Sequence, residues 1–117
     1  MAADVLIVLN EAPYGSERSY NGLRLAIALQ ARGNNVFVFL MADAVSCGLP
    51  KQETPQGYYN IAEMMARVIS KGGQVAACGS CMKARGVSVE GMVPGVEQGS
   101  MALLSEWTEK CAKVHSF

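Results

Sequence analysis

The chain has 117 residues, half of them hydrophobic, and its ten basic and ten acidic side chains leave a formal net charge of zero. That is the length of one domain able to bury its own core, so residues 1–117 read as a single domain. With no basic block, the sequence excludes nucleic acid as a main partner, because phosphate binding needs clustered Lys and Arg. It also lacks the charge that would hold it on an anionic membrane surface.

The first apolar run, Val5 to Leu9, follows no positively charged segment and is too short for a secretory leader. No window approaches the roughly eighteen apolar residues of a membrane span. A cytoplasmic location is expected, where the four cysteines are thiols rather than a disulfide framework.

Asp4 to Asn10 reads as a strand: Val5-Leu6-Ile7-Val8-Leu9 is continuous and apolar, as in a strand buried on both faces of a parallel sheet. After the loop Glu11–Gly15, Ser16 is placed to cap a helix with Glu17 in its first turn, running to about Arg32. Leu23, Ile27 and Gln30 interleave with Leu25, Ala26 and Leu29 along its apolar face, and Gly33 suits its C-terminal end. Val36 to Met41 is a second apolar strand. Ala42 to Tyr59, with Gly48, Pro50, Pro55 and Gly57, reads as irregular and longer than an ordinary connection.

Asn60 begins the next helix, with Glu63 at the capping-box position and Ile61, Met64, Met65, Val68 and Ile69 as its buried stripe. Lys71-Gly72-Gly73 ends it. Gln74 to Cys78 is a third strand, and Gly79 to about Gly86 a short helix or turn. A short strand near Val96 follows, then a helix capped by Ser100 with Leu103, Leu104, Trp107 and Cys111 at helical spacing, then a terminal strand over Val114–Phe117. Strands alternating with helices mean βαβ units, hence a parallel sheet with helices on both faces.

Open parallel sheets bind ligands outside the carboxyl ends of their strands. The first three strands deliver Asn10, Glu11, Pro13 and Tyr14, then Asp43, then Cys78 to that edge. Cys47 follows the second strand, and Cys111 belongs to the core side of the last helix. Cys78-Gly-Ser-Cys81 stands where a strand gives way to a helix. Unpaired N–H groups and the helix dipole there favour a thiolate. If the helix continues, Cys78, Cys81 or Met82, and Arg85 share a face, and the guanidinium would serve an anionic sulfur or an anionic sulfur-containing substrate.

Against this stands the plain alternative of cysteines as small buried hydrophobes. The C-x-x-C spacing is that of redox or metal chemistry. Zinc is disfavoured, because there is no second C-x-x-C and the single histidine, His115, reads as a surface or interface residue. Thioredoxin-like folds carry their motif after the first strand, whereas this one follows the third. Asp43 equally suits capping of a short turn, and Asn10, Pro13 and Tyr14 equally suit shaping of a loop. No phosphate-loop or dinucleotide fingerprint is present.

Asn10-Glu11-Ala12-Pro13-Tyr14-Gly15-Ser16-Glu17, Asn21 to Leu29, and Phe39 to Val45 together resemble the DsrE/DsrF-like family, and within it the YchN branch. Gly57-Tyr58-Tyr59-Asn60-Ile61, Cys78-x-x-Cys81-x-x-x-Arg85-Gly86-Val87, Gly95-Val96-Glu97-x-Gly99 and Glu106-Trp107-Thr108 extend the resemblance over essentially the whole chain. The resemblance implies a three-layer α/β/α fold with a five-stranded, mainly parallel sheet, and assembly as homo- or heterohexamers, here with copies of itself. It implies sulfur carriage in a persulfide relay, with a sulfur donor or acceptor protein as partner. The sulfur-accepting cysteine of the sulfur-relay branch lies eight residues before the glycine of an Arg-Gly pair, and counting back from Gly86 gives Cys78. Cys81 has no counterpart in that branch and is left with three roles: resolving a Cys78 persulfide, forming a reversible disulfide, or neither.

The leading expectation is a persulfide carrier with Cys78 as acceptor, Cys81 beside it, and Asn10, Tyr14, Asp43 and Arg85 lining the pocket, with no metal or organic cofactor. A non-enzymatic oligomeric binding module is the alternative, suggested by the long loop Cys47–Tyr59 and seven methionines, a residue that adapts to interfaces. Thiol–disulfide exchange by Cys78 and Cys81 is the third.

Overall fold

Residues 2–117 are described by the computed structural model. The apolar runs become strands and the periodic segments helices, in the order β1 (Asp4–Leu9), α1 (Arg18–Ala31), β2 (Asn35–Leu40), α2 (Ile61–Ser70), β3 (Gln74–Cys78), α3 (Gly79–Ala84), β4 (Val96–Gly99), α4 (Met101–Lys110) and β5 (Lys113–Ser116). The strands form one sheet in the order β4-β3-β2-β1-β5, with every neighbouring pair parallel. The crossovers β1→β2→β3→β4 step in one direction. The last crossover carries the chain back past β1, so β5 closes the opposite edge.

Successive strand side chains face opposite sides of a sheet, and both faces here are apolar. On one, Val5, Ile7, Leu9, Val36, Val38, Leu40, Val75 and Ala77 pack with Leu23 and Ala26 of α1 and Ile61, Met65 and Val68 of α2. On the other, Leu6, Phe37, Phe39 and Ala76 pack with Trp107 of α4 and Cys111 just beyond it. The Trp107 ring lies 5.2 Å from Phe37 and meets Phe39 edge-on at 6.2 Å. Among the described residues α4 is the helix that covers this second face, and Val8, Met41, Leu103 and Leu104 remain partly exposed around Trp107. Removing Trp107 would cost about 3–5 kcal/mol by the usual measure of large-to-small core changes.

Local signals explain most boundaries. Asn60 Oδ1 accepts from the Glu63 N–H at 3.0 Å, and Ser100 Oγ from the Leu103 N–H at 3.1 Å, so both expected caps form. Gly33 follows α1 at φ +89°, a conformation that favours glycine. The start of α1 differs from expectation. Glu17, not Ser16, occupies the N-cap, without a side-chain cap bond. Ser16 Oγ instead accepts from the Arg18 N–H at 3.3 Å. Tyr14, at φ +70°, turns the loop so that the helix begins later.

The stretch after β2 is also more ordered than its composition suggests. Ala42–Gly48 forms a 3₁₀ segment that buries Ala44, Val45, Cys47 and Gly48. Short 3₁₀ runs lack the apolar period that marks an α-helix, so composition alone reads as loop. The final ladder runs on to Phe117, whose N–H donates to the Val8 carbonyl and whose carbonyl accepts from the Asn10 N–H. Among the described residues, no helix is long and apolar enough to cross a membrane.

Candidate functional site

Strands β3 and β4 end side by side, with Cys78 and Gly99 in register. Cys78 is both the last residue of β3 and the N-cap of α3, so the chain turns into helix at its sulfur. Two groups converge on that sulfur. The Cys81 N–H donates to Cys78 Sγ at 3.4 Å, and Ser80 Oγ lies 3.4 Å from it. Burial pushes the Cys78 thiol up, but the hydrogen bonds from Cys81 and Ser80 outweigh it, so Cys78 titrates below the ordinary 9.0.

Cys81 sits one turn further, in the first turns of α3. Its Sγ accepts the Ala42 N–H at 3.3 Å, which ties α3 to the end of β2. Ala42 holds φ +53°, left-handed for a residue with a Cβ, at a cost of about 1 kcal/mol. Burial is the largest influence on Cys81 and raises its pKa; the bond to Cys78 raises it further, while the Ala42 N–H and the Arg85 charge act the other way. The pair is thus unequal, with the thiolate favoured on Cys78. All four cysteines are free thiols.

Arg85 closes the C-terminal end of α3. Its Nε and Nη2 donate to Asp43 Oδ1 at 3.0 and 2.8 Å, and Nη1 donates to the Cys81 carbonyl at 3.0 Å. Arg85 stands in helical register with Cys78 and Cys81, and the structure fixes which groups its guanidinium meets. At the helix end the guanidinium turns to Asp43, and its charge acts on Cys81 rather than on Cys78. Met82, the other residue considered for that face, is buried in the core at 2% exposure. Asp43 stands in the 3₁₀ segment after β2, so the structure brings Cys78, Cys81, Asp43 and Arg85 into one linked group.

Asn10 and Tyr14 lie elsewhere. Asn10 Nδ2 donates to Ser116 Oγ and to the Phe117 carbonyl, at the β1–β5 end of the sheet. Tyr14 joins a cluster at the head of α2. Its hydroxyl donates to Gln52 Oε1 at 2.6 Å and accepts the Ile61 N–H at 2.9 Å, and its ring stacks 5.5 Å from Tyr59. Tyr59 in turn stacks on Tyr20 and Tyr58. Cys47 is fully buried, its thiol directed at the Glu11 carbonyl. Cys111 is buried beside Trp107. His115, as expected for a surface residue, is exposed on β5.

Beside Cys78 opens a cleft of about 430 Å³, lined by Cys78, Gly79, Ser80, Lys83, Gln98, Gly99, Ser100 and Met101. The last four come from the end of β4 and the start of α4. The rule that sites form beyond strand carboxyl ends points to them as it does to the first three strands, but the short strand expected near Val96 carries no pattern that fixes where it ends. Lys83 supplies the cleft's one cationic group, and Met101, two-thirds exposed, its apolar rim. A half-buried thiol whose hydrogen bonds favour its anion, at the wall of an open cleft, can attack a sulfur atom presented from solvent. Among the described residues, no three His, Cys, Asp or Glu side chains are grouped to hold a metal ion.

A model of the DsrE/DsrF-like family matches residues 3–117. Protein YchN of Escherichia coli K12 is 42% identical over 115 residues, 97% of each chain. An uncharacterized protein of Methanopyrus kandleri is 39% identical over 113 residues, 97% of this chain and 93% of that one. The crystal structure of YchN from E. coli superposes with a TM-score of 0.92 at 40% identity, covering both chains fully. A protein of unknown function from Methanobacterium thermoautotrophicum shares the fold, with a TM-score of 0.78 at 16% identity over 97% of this chain and 98% of that one.

Proposed function

The chain belongs to the DsrE/DsrF-like family, and from that membership we propose that it carries sulfur as a persulfide on Cys78. The observation that carries the reading is the Cys78 sulfur itself: at the end of β3, on the wall of an open cleft, and surrounded by donors from Ser80 and Cys81 that favour its anion.

In the loading step the Cys78 thiolate attacks the outer sulfur of a donor persulfide, R–S–SH. The new S–S bond forms as the donor's S–S bond breaks, and R–S⁻ leaves. In the unloading step an acceptor thiolate attacks the outer sulfur of Cys78–S–SH and takes it, returning Cys78 as a thiolate. Neither step changes the total redox state, so no cofactor is required. The cleft is open enough for a partner's loop or a small persulfide to bring its sulfur to Cys78. Lys83 would favour an anionic donor.

Radiolabelled sulfur supplied through a cysteine desulfurase tests this. Protein carrying Cys81→Ser, so that no second thiol stands beside Cys78, takes up label that reductant removes, and the same protein with Cys78→Ala takes up none. Equal labelling of the two proteins would sink the reading.

The assembly is proposed to be a homohexamer working in the cytoplasm. The partly exposed Val8, Met41, Leu103 and Leu104 around Trp107, with Met101 at 67% exposure, support burial against further copies. Native mass measurement at micromolar concentration checks it: a monomer would contradict the assembly.

A further inference from the structure

We propose that Cys81 is a reacting thiol that discharges the Cys78 persulfide as hydrosulfide, closing a Cys78–Cys81 disulfide in the same step. The inference rests on the reading of Cys78 as sulfur acceptor and goes beyond it, because it gives the protein a second way to release sulfur, without an acceptor protein.

The placement of Cys81 differs from that of the two structural cysteines. Cys47 and Cys111 are sunk in the core at 0% and 8% exposure. Cys81 is only partly buried, and its own N–H donates to the Cys78 sulfur at 3.4 Å, which sets the two residues one helical turn apart on the same short helix. A backbone donor, the Ala42 N–H, is aimed at Cys81 Sγ at 3.3 Å from a left-handed residue at the end of β2. Such a bond favours the anion over the thiol, so the structure provides for a charge on Cys81 when it reacts. Arg85 fixes the Cys81 backbone through its carbonyl and is itself fixed by Asp43. This gives Asp43 and Arg85 a positioning role: they hold the second sulfur against the first.

The inequality of the two thiols suits the division of labour. Cys78 is the readier thiolate and takes up sulfur first, while Cys81 stays protonated until it is needed. In the discharge step Cys81 loses its proton and its thiolate attacks Cys78 Sγ. The Sγ–Sγ bond forms as the bond from Cys78 Sγ to the outer sulfur breaks, and the outer sulfur leaves as HS⁻. The sulfane sulfur is reduced to hydrosulfide, and the two cysteine sulfurs are oxidised to the disulfide. No outside oxidant enters. Each further turnover consumes one equivalent of a dithiol reductant, which returns Cys78 and Cys81 to thiols.

Single-turnover loading tests this on the full chain. Reduced wild type, Cys81→Ser, Cys81→Ala and Cys78→Ser are treated with a small-molecule persulfide, desalted rapidly, and followed by intact mass and hydrosulfide release. Cys81→Ser and Cys81→Ala are expected to hold an adduct of about 32 Da. Wild type is expected to lose it at least about tenfold faster, release one hydrosulfide per chain, and settle about 2 Da below its reduced mass. Two substitutions at Cys81, each checked for an unchanged melting curve, guard against a folding artefact. Equal adduct lifetimes in wild type and both Cys81 variants, with no disulfide, would overturn the role of Cys81 and leave the Cys78 reading standing. Absence of any adduct on Cys78 in the Cys81 variants would remove both.

Discussion

Gly99→Ala is the most sensitive probe of how the site is built. Gly99 ends β4 in register with Cys78 and lines the cleft. A Cβ there would stand 2.7 Å from Phe39 Cε2, 3.0 Å from Phe39 Cζ and 3.3 Å from Ala76 Cβ. Phe39 cannot give way easily: it is 1% exposed, lies in the central strand of the sheet, and meets Trp107 edge-on. Overpacking of this kind costs about 1–3 kcal/mol, and the entropic gain of replacing glycine offsets at most about 1 kcal/mol. The middle of these ranges leaves a net loss of about 1 kcal/mol. For a chain of this length that lowers the melting temperature by roughly 4–8 °C. The assay is thermal unfolding by circular dichroism at fixed protein concentration, because assembly makes melting concentration-dependent. Since β4 pairs only with β3, relief of the clash would shift β4 against Cys78, so the alkylation rate of Cys78 should change in the same variant. An alanine variant that melts at or above wild type, with unchanged Cys78 reactivity, would refute the packing argument.

Three further outcomes follow from the site and its surroundings. Cys78 should be alkylated faster than Cys81 near neutral pH, with half-maximal rate below pH 9.0, because its hydrogen bonds favour the thiolate; peptide mapping after iodoacetamide pulses reads this, and preferential labelling of Cys81 would contradict it. Burial pushes the Cys47 thiol from 9.0 up to about 11. The folded state therefore keeps its proton while the unfolded chain loses it, so this contribution to stability is intact below pH 9.0 and falls away as the pH rises to about 11. The loss is on the order of 2–3 kcal/mol, seen as a steep alkaline fall in urea midpoint that Cys47→Ala should flatten; an unchanged slope would count against it. Ala42→Gly keeps the N–H on Cys81 and removes the left-handed penalty, so it should melt at or above wild type by up to about 1 kcal/mol. A clear loss of stability would show that the Ala42 methyl group contributes packing that outweighs the penalty.

Much of this molecule is legible in its residues, and the gaps have physical causes. The apolar, β-branched-rich runs Val5–Leu9 and Val36–Leu40 read as buried strands and are strands, and Asn60 and Ser100 mark helix starts by their side chains. The strand-to-helix junction at Cys78 is likewise a local property and can be read directly. What the sequence does not carry is direction in space. Arg85 shares a helical register with Cys78, yet at a helix end its long side chain follows the nearest carboxylate, Asp43, forty-two residues away along the chain. Tyr14 and Asn10 both follow β1 but diverge, one to the head of α2 and the other to the C-terminal strand, because partners distant in sequence claim them. Gln98 to Met101 are not legible as cleft residues, because a four-residue strand gives too little pattern to mark its carboxyl end.

The central claim is that Cys78 accepts sulfane sulfur, and the mass of that residue tests it most directly. Protein incubated with a persulfide donor is digested without reductant, and the peptide holding Cys78 is weighed in the Cys81→Ser background, where discharge is blocked. The account predicts a gain of about 32 Da on Cys78, removed by dithiothreitol. A Cys78 peptide of unchanged mass, or a gain carried on Cys47 or Cys111 instead, would contradict it.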